Sequence, residues 1–131
     1  MLFRSLHDLK LNGDGTRWVP LEAYEANLGA LVARLKRTGA RLIFATTTPV
    51  PEGVRGVKRD ASDPPRYNEA ARKVMDREGV ALDDLYAHAR SRPDAGQIPQ
   101  NVHWTPEGSA FLARAVSGSI RQALKSKPVT P

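Results

Sequence analysis

An amphipathic helix followed at once by a buried run constrains this chain more than any other feature. From Pro20 to Thr38, Leu21, Tyr24, Leu28, Leu31 and Leu35 recur at spacings of three and four, while Glu22, Glu25, Arg34, Lys36 and Arg37 fill other faces. That period is helical, and the apolar stripe is expected to be core. The acids fall early and the bases late, as the helix dipole prefers, and Gly39 is expected to stop the helix. Arg41–Thr47 then forms a nearly continuous apolar run bounded by Gly39 and Pro49, which reads as a buried strand. Helix, short loop and buried strand make half of a βαβ crossover, and such crossovers build parallel sheets. The expected class is α/β.

The other segments extend this alternation. Met1–Leu6 is a short apolar stretch running into His7-Asp8 and is expected to be a strand. Residues 12–16 are a turn or flexible loop. Residues 49–65, with Pro49, Pro51, Pro64 and Pro65, read as a long surface loop. Arg66–Glu78 is a second amphipathic helix with Tyr67, Ala70, Ala71 and Val74 inward, and Gly79–Leu82 is a further short strand. Asp83 and Asp84 cap a small helix that runs through Arg90. Residues 126–131 look frayed. Thr46, Thr47 and Thr48 end the central strand, where open parallel sheets carry their binding crevice. Strand propensity and loop hydrogen bonding explain the same threonines.

The second constraining stretch is Asn101–Gly108. Thr105 is a good N-cap, Pro106 fits the first helical position, and Glu107 puts negative charge at the positive end of the dipole. The helix that follows carries Leu112, Ala115, Val116, Ile120 and Leu124 along one stripe and must pack on something. His103 is thereby held on a short loop anchored by a buried helix, an arrangement suited to a general base. A structural or simply exposed histidine fits the same spacing.

The totals exclude several classes. With 131 residues, 40% hydrophobic and 26% charged, the chain is one ordinary globular domain at most. No apolar run approaches the roughly 20 residues needed to span a bilayer, and residues 1–20 lack a signal-peptide pattern, so no membrane partner is expected. The chain has no cysteine, which rules out thiol chemistry but leaves the compartment open. His7, His88 and His103 are far apart and in no familiar ligand spacing, so neither metal nor cofactor is expected. The net charge of +6 divides evenly, because residues 1–65 and 66–131 each hold 10 Lys/Arg and 7 Asp/Glu. An even spread is not a basic patch, and nucleic acid is not an expected partner.

Four stretches together resemble the SGNH hydrolases, the GDSL esterase/lipase family. Leu6-His7-Asp8-Leu9 is similar to the family's third block, usually Gly-x-Asn-Asp. Tyr24–Leu28 with Gly39–Val50 resembles the helix and fourth strand, and Tyr67–Ala71 with Gly79-Val80 and Asp83–Tyr86 resembles the next helix and strand. Val102–Gly108 resembles the last block, whose histidine is the catalytic base. The resemblance implies a three-layer α/β sandwich with a short parallel sheet, a truncated SGNH or flavodoxin-like fold. It implies a single partial domain over residues 1–131, from the third block to the carboxyl terminus.

By the same resemblance His103 is the base and His7 is a candidate oxyanion donor. Gln100 stands where an Asp usually precedes the histidine, and Asn101 is one residue closer, so both are candidates to orient the base. The first block, Gly-Asp-Ser, has no counterpart: Gly13-Asp14 is followed by Gly15, which has no hydroxyl. Ser5 falls at the wrong block and Ser109 lies inside a helix. The implied reaction is acyl transfer from a small-molecule ester, with the chain inactive alone for want of a nucleophile. The alternative is a non-enzymatic module that self-associates or binds a partner through an exposed sheet edge.

Overall fold

Two three-residue strands, β1 (Ile43–Ala45) and β2 (Ala81–Asp83), run parallel in the computed structural model, which describes residues 5–125. Ile43 lies opposite Ala81, and Ala45 opposite Asp83. Around them stand α1 (Ser5–Asp8), α2 (Leu21–Lys36), α3 (Asp63–Glu78), α4 (Leu85–Arg90) and α5 (Pro106–Lys125). The crossover from β1 through α3 to β2 is the βαβ unit that the sequence alternation predicts.

The core lies between the sheet and the α2–α3 pair. Tyr24 and Tyr67 meet edge to face with ring centroids 5.0 Å apart, beside Leu9, Ala70 and Ala71. Val32, Val74 and Met75 form a neighbouring cluster, and Phe44 from β1 packs against both. The Tyr67 hydroxyl donates to the Val19 carbonyl at 2.6 Å, so even its polar end is satisfied. Helix α5 contributes the opposite layer: it lies against both strands and against α4, where Phe111 stacks on His88 at 4.2 Å. Among the described residues no helix is long and apolar enough to cross a membrane, and no group of three or more His, Asp or Glu could hold a metal.

Several expectations need correction. Ser5 and Leu6 belong to the single turn α1 and not to a strand; residues 1–4 and 126–131, for which a strand and fraying are expected, lie outside the described residues. The loop over 49–65 ends early, because α3 begins at Asp63 and takes Pro64 and Pro65 into its first turn. Proline costs nothing there, since first-turn N–H groups have no helical acceptor. The line of α2 that faces the core is Tyr24, Leu28 and Val32, a spacing of four with Leu28 partly buried, while Leu31 and Leu35 are about half exposed at 55% and 47%. One ridge faces α3, and the residues beside it turn to solvent. Ile120 and Leu124 of α5 are exposed too. A 20-residue helix is about 30 Å long, and two three-residue strands cannot cover its far half. Both strands are also shorter than expected.

The start of α3 is pinned by charge. Asp63 is fully buried and takes three short hydrogen bonds from Arg17, two from Nε at 2.8 and 2.9 Å and one from Nη2 at 2.7 Å. The carboxylate raises the Arg17 guanidinium above its ordinary value. This pair ties the 12–17 turn to the crossover helix. Arg17→Ala would leave a buried carboxylate with only the longer Arg66 contact at 3.6 Å. The expected loss is about 3 kcal/mol or more in urea denaturation monitored by circular dichroism.

Candidate active site

A cavity of about 570 Å3 opens at the carboxyl end of β1. Leu6 and His7 of α1, Thr46–Thr48, Arg59, Leu85, Val102–Trp104 and the inner side of α5 from Ser109 to Ser117 line it. It therefore brings together three stretches far apart in sequence: the first turn, the end of the central strand and the His103 loop.

Thr46 and Thr47 are buried. The Thr46 hydroxyl accepts from the Tyr86 N–H at 2.8 Å and donates to Asp84 Oδ1 at 3.1 Å. Asp84 caps α4 through the Ala87 N–H and receives Arg72 at 3.0 Å. Burial alone would raise its carboxyl, but the hydrogen bonds from Ala87, Arg72 and Thr46 hold it below its ordinary value. At Thr47, the Asn68 carboxamide accepts the backbone N–H at 2.8 Å and donates to the carbonyl at 2.9 Å. The Thr47 hydroxyl itself is buried and has no hydrogen-bond partner among the described residues.

The His103 loop is a small hairpin. Gln97 pairs antiparallel with Trp104, the Ile98 N–H donates to the His103 carbonyl at 3.0 Å, and Gln100 adopts a left-handed φ of 55° at the turn. The loop is fastened at both ends. Gln97 Nε2 donates to the Pro49 carbonyl at 2.8 Å, and the Thr105 N–H donates to the Gly96 carbonyl at 2.8 Å. Thr105 caps α5 as predicted, accepting the Gly108 N–H at 3.1 Å. Here two glycines permit a close approach: a Cβ on Gly108 would sit 2.8 Å from the Ala95 and Gly96 carbonyl oxygens, so no larger residue fits without moving the loop.

Of the predicted site residues, His103 and His7 are both exposed and both line the cavity. Asp8 beside His7 is pushed above the usual carboxylate range by burial, with the imidazole opposing. Neither Gln100 nor Asn101 hydrogen-bonds the His103 ring. Asn101 Oδ1 accepts the His103 backbone N–H at 3.1 Å, while the Gln100 side chain lies over Gly53 and the Gln100 backbone carbonyl accepts the Arg55 N–H. Both shape the loop. Ser109 lines the cavity, but no serine hydroxyl hydrogen-bonds His103 among the described residues. His88 packs between α4 and α5, with Nε2 3.2 Å from the Phe111 carbonyl, and serves the fold. Sequence reasoning missed Arg59 and the Trp104 indole. Arg59 sits in an aperiodic loop, and Trp104 reads as a neighbour of the histidine.

The model of the GDSL-like Lipase/Acylhydrolase family matches residues 13–111. The chain belongs to that family. The matched residues run from the turn before α2 into α5 and include the hairpin that carries His103. No curated protein sequence matches the chain. Among solved structures it is similar to LAE5, an alpha/beta hydrolase enzyme from the metagenome of Lake Arreo, Spain, at TM-score 0.64 and 24% identity over 82% of this chain and 50% of that one. It is also similar to Axe2, an acetylxylan esterase from Geobacillus stearothermophilus, at TM-score 0.61 and 20% identity over 86% of this chain and 50% of that one. These likenesses give the fold alone, helices packed on a short parallel sheet. The chain spans about half the length of each of these two structures.

The Asp84 cap gives a test of how the cavity floor is held. A carboxyl held below its ordinary value stabilises the fold above the unfolded value of 3.8 and loses that contribution as pH falls through the folded one. Asp84→Ala is expected to cost about 1 kcal/mol at pH 7, as other N-cap losses do. The gap to the parent should narrow steadily below pH 3.8 in urea titrations run across pH.

Proposed function

We propose that this chain carries the general base and part of the oxyanion site of a GDSL-type acylhydrolase acting on a small-molecule ester. The observation that carries this reading is the meeting of His103 and His7, from opposite ends of the sequence, at one cavity on the carboxyl side of a parallel sheet. In the reaction a serine hydroxyl attacks the ester carbonyl carbon and His103 takes its proton. The His7 ring N–H donates to the developing oxyanion in the tautomer that allows it. The tetrahedral centre then collapses, the alkoxide leaves with the proton from His103, and water repeats the sequence to release the acid. Gln100 and Asn101 would orient His103 by shaping its loop. The serine is expected from sequence outside these 131 residues, because Gly13-Asp14-Gly15 lacks a hydroxyl and no serine hydroxyl hydrogen-bonds His103 among the described residues. The chain alone is then inactive.

The test is p-nitrophenyl acetate hydrolysis by the chain alone and joined to whatever is encoded in frame upstream of Met1. Alone, the chain should not exceed free imidazole at the same concentration. The longer protein should turn over, and His103→Ala should cost at least about a thousandfold in kcat. Turnover by the 131 residues that vanishes in His103→Ala would overturn inactivity; a longer enzyme indifferent to that change would overturn the assigned base.

One observation favours a second reading, pairing of the sheet with a second copy. Thr46 N–H donates to the Asp83 carbonyl, so alternation points the backbone of Ile43 and Ala45 to the other side, where no described residue pairs with it. Two such edges meeting antiparallel about a two-fold axis satisfy the same groups on both copies. Sedimentation velocity should show a dimer that Ala45→Pro abolishes, and a clean monomer of the parent chain at high concentration rejects the pairing.

A further inference from the structure

We propose that the cavity is a carboxylate site built on Arg59, and that the ester it takes carries a free carboxylate beside the scissile bond. Arg59 lines the cavity but has no acidic partner, unlike Arg17, Arg66, Arg72 and Arg77, which all meet carboxylates. Its Nε donates to the Leu6 carbonyl at 2.7 Å and its Nη1 to the Val57 carbonyl at 3.3 Å, which fixes the plane of the guanidinium. Five N–H groups belong to that plane, so three remain for a ligand. Burial depresses the Arg59 pKa with no charge to offset it, the mark of a cation held without its counter-ion.

The rest of the lining agrees in sign. No Asp or Glu touches the cavity, and residues 1–4 and 126–131 contain neither, so no side-chain carboxylate from them can neutralise Arg59. Thr47 and Trp104 also line it, and the Thr47 hydroxyl and the Trp104 indole N–H are buried behind that surface without a hydrogen-bond partner among the described residues. An indole N–H only donates. Leu85, Leu112 and Val116 supply an apolar wall for a short hydrocarbon part. A planar carboxylate matches a guanidinium edge with two parallel bonds. The size falls in the range of small-molecule sites.

The substrate class rests on the ester hydrolysis proposed above; the carboxylate binding does not. Monomethyl succinate and its neutral dimethyl ester are the probes, read by the indole N–H resonances in proton–nitrogen correlation spectra of the whole chain. Trp104 should shift saturably with the monoester while the exposed Trp18 stays still. The diester should bind at least about tenfold more weakly, and Arg59→Gln should lose a factor of about 10 to 100, as expected for a charged hydrogen-bonded pair. Equal affinity for the two probes, or a silent Trp104, overturns the proposal. So does full affinity in folded Arg59→Gln; should that variant not fold, the comparison of the two probes on the parent chain decides. Carboxylate binding without His103-dependent turnover in the longer protein would defeat the hydrolase reading and spare this one. His103-dependent turnover with no preference for the acidic ester would do the reverse.

Discussion

The Thr46 hydroxyl is the point on which the carboxyl side of the sheet turns. It accepts from the backbone of α4 and donates to the aspartate that caps the same helix, while its own N–H closes the ladder to β2. One buried side chain therefore fixes strand, loop and helix relative to one another, and Arg72 adds a charge to the network from α3. Thr46 is buried while the Arg72 and Asp84 side chains are 40% and 39% exposed, so the hydroxyl is the member of the network whose loss costs most. The cavity floor inherits its rigidity from this network. His103 inherits its position from a separate one, the hairpin fastened at Pro49 and Gly96.

The parts of the fold legible in the sequence were those governed by period and by caps. Tyr67, Ala70, Ala71 and Val74 are buried as their spacing requires, and Asp84 and Thr105 cap the helices they precede. What could not be read depended on neighbours. Leu31 and Val32 look equally apolar, and only the position of α3 decides that one is buried and the other exposed. The early start of α3 was masked by its prolines, which read as loop until the Arg17–Asp63 pair shows why the helix begins there. Ile120 and Leu124 satisfy a helical stripe without finding a sheet beneath them.

The site was legible to the extent that it lies beside recognisable helix starts and strand ends. His103, His7 and the three threonines meet at the same cavity, although more than ninety residues separate the two histidines. Arg59 could not be found this way. Nothing in its local sequence distinguishes it from the other 13 arginines, and its significance lies in lining the cavity with no carboxylate beside it. A pattern of residues announces contacts that are made. It is silent about those that are withheld.

The Asn68 carboxamide has a consequence for how far the sheet can grow. At Thr47 it offers one acceptor and one donor, the same pair that an adjoining peptide unit would present. A strand zipping along the free side of β1 thus meets a stop at that residue and must end there or evict a buried amide. The stop ends ladder pairing before Thr47, so that growth of the sheet and access to the crevice do not compete for the same backbone.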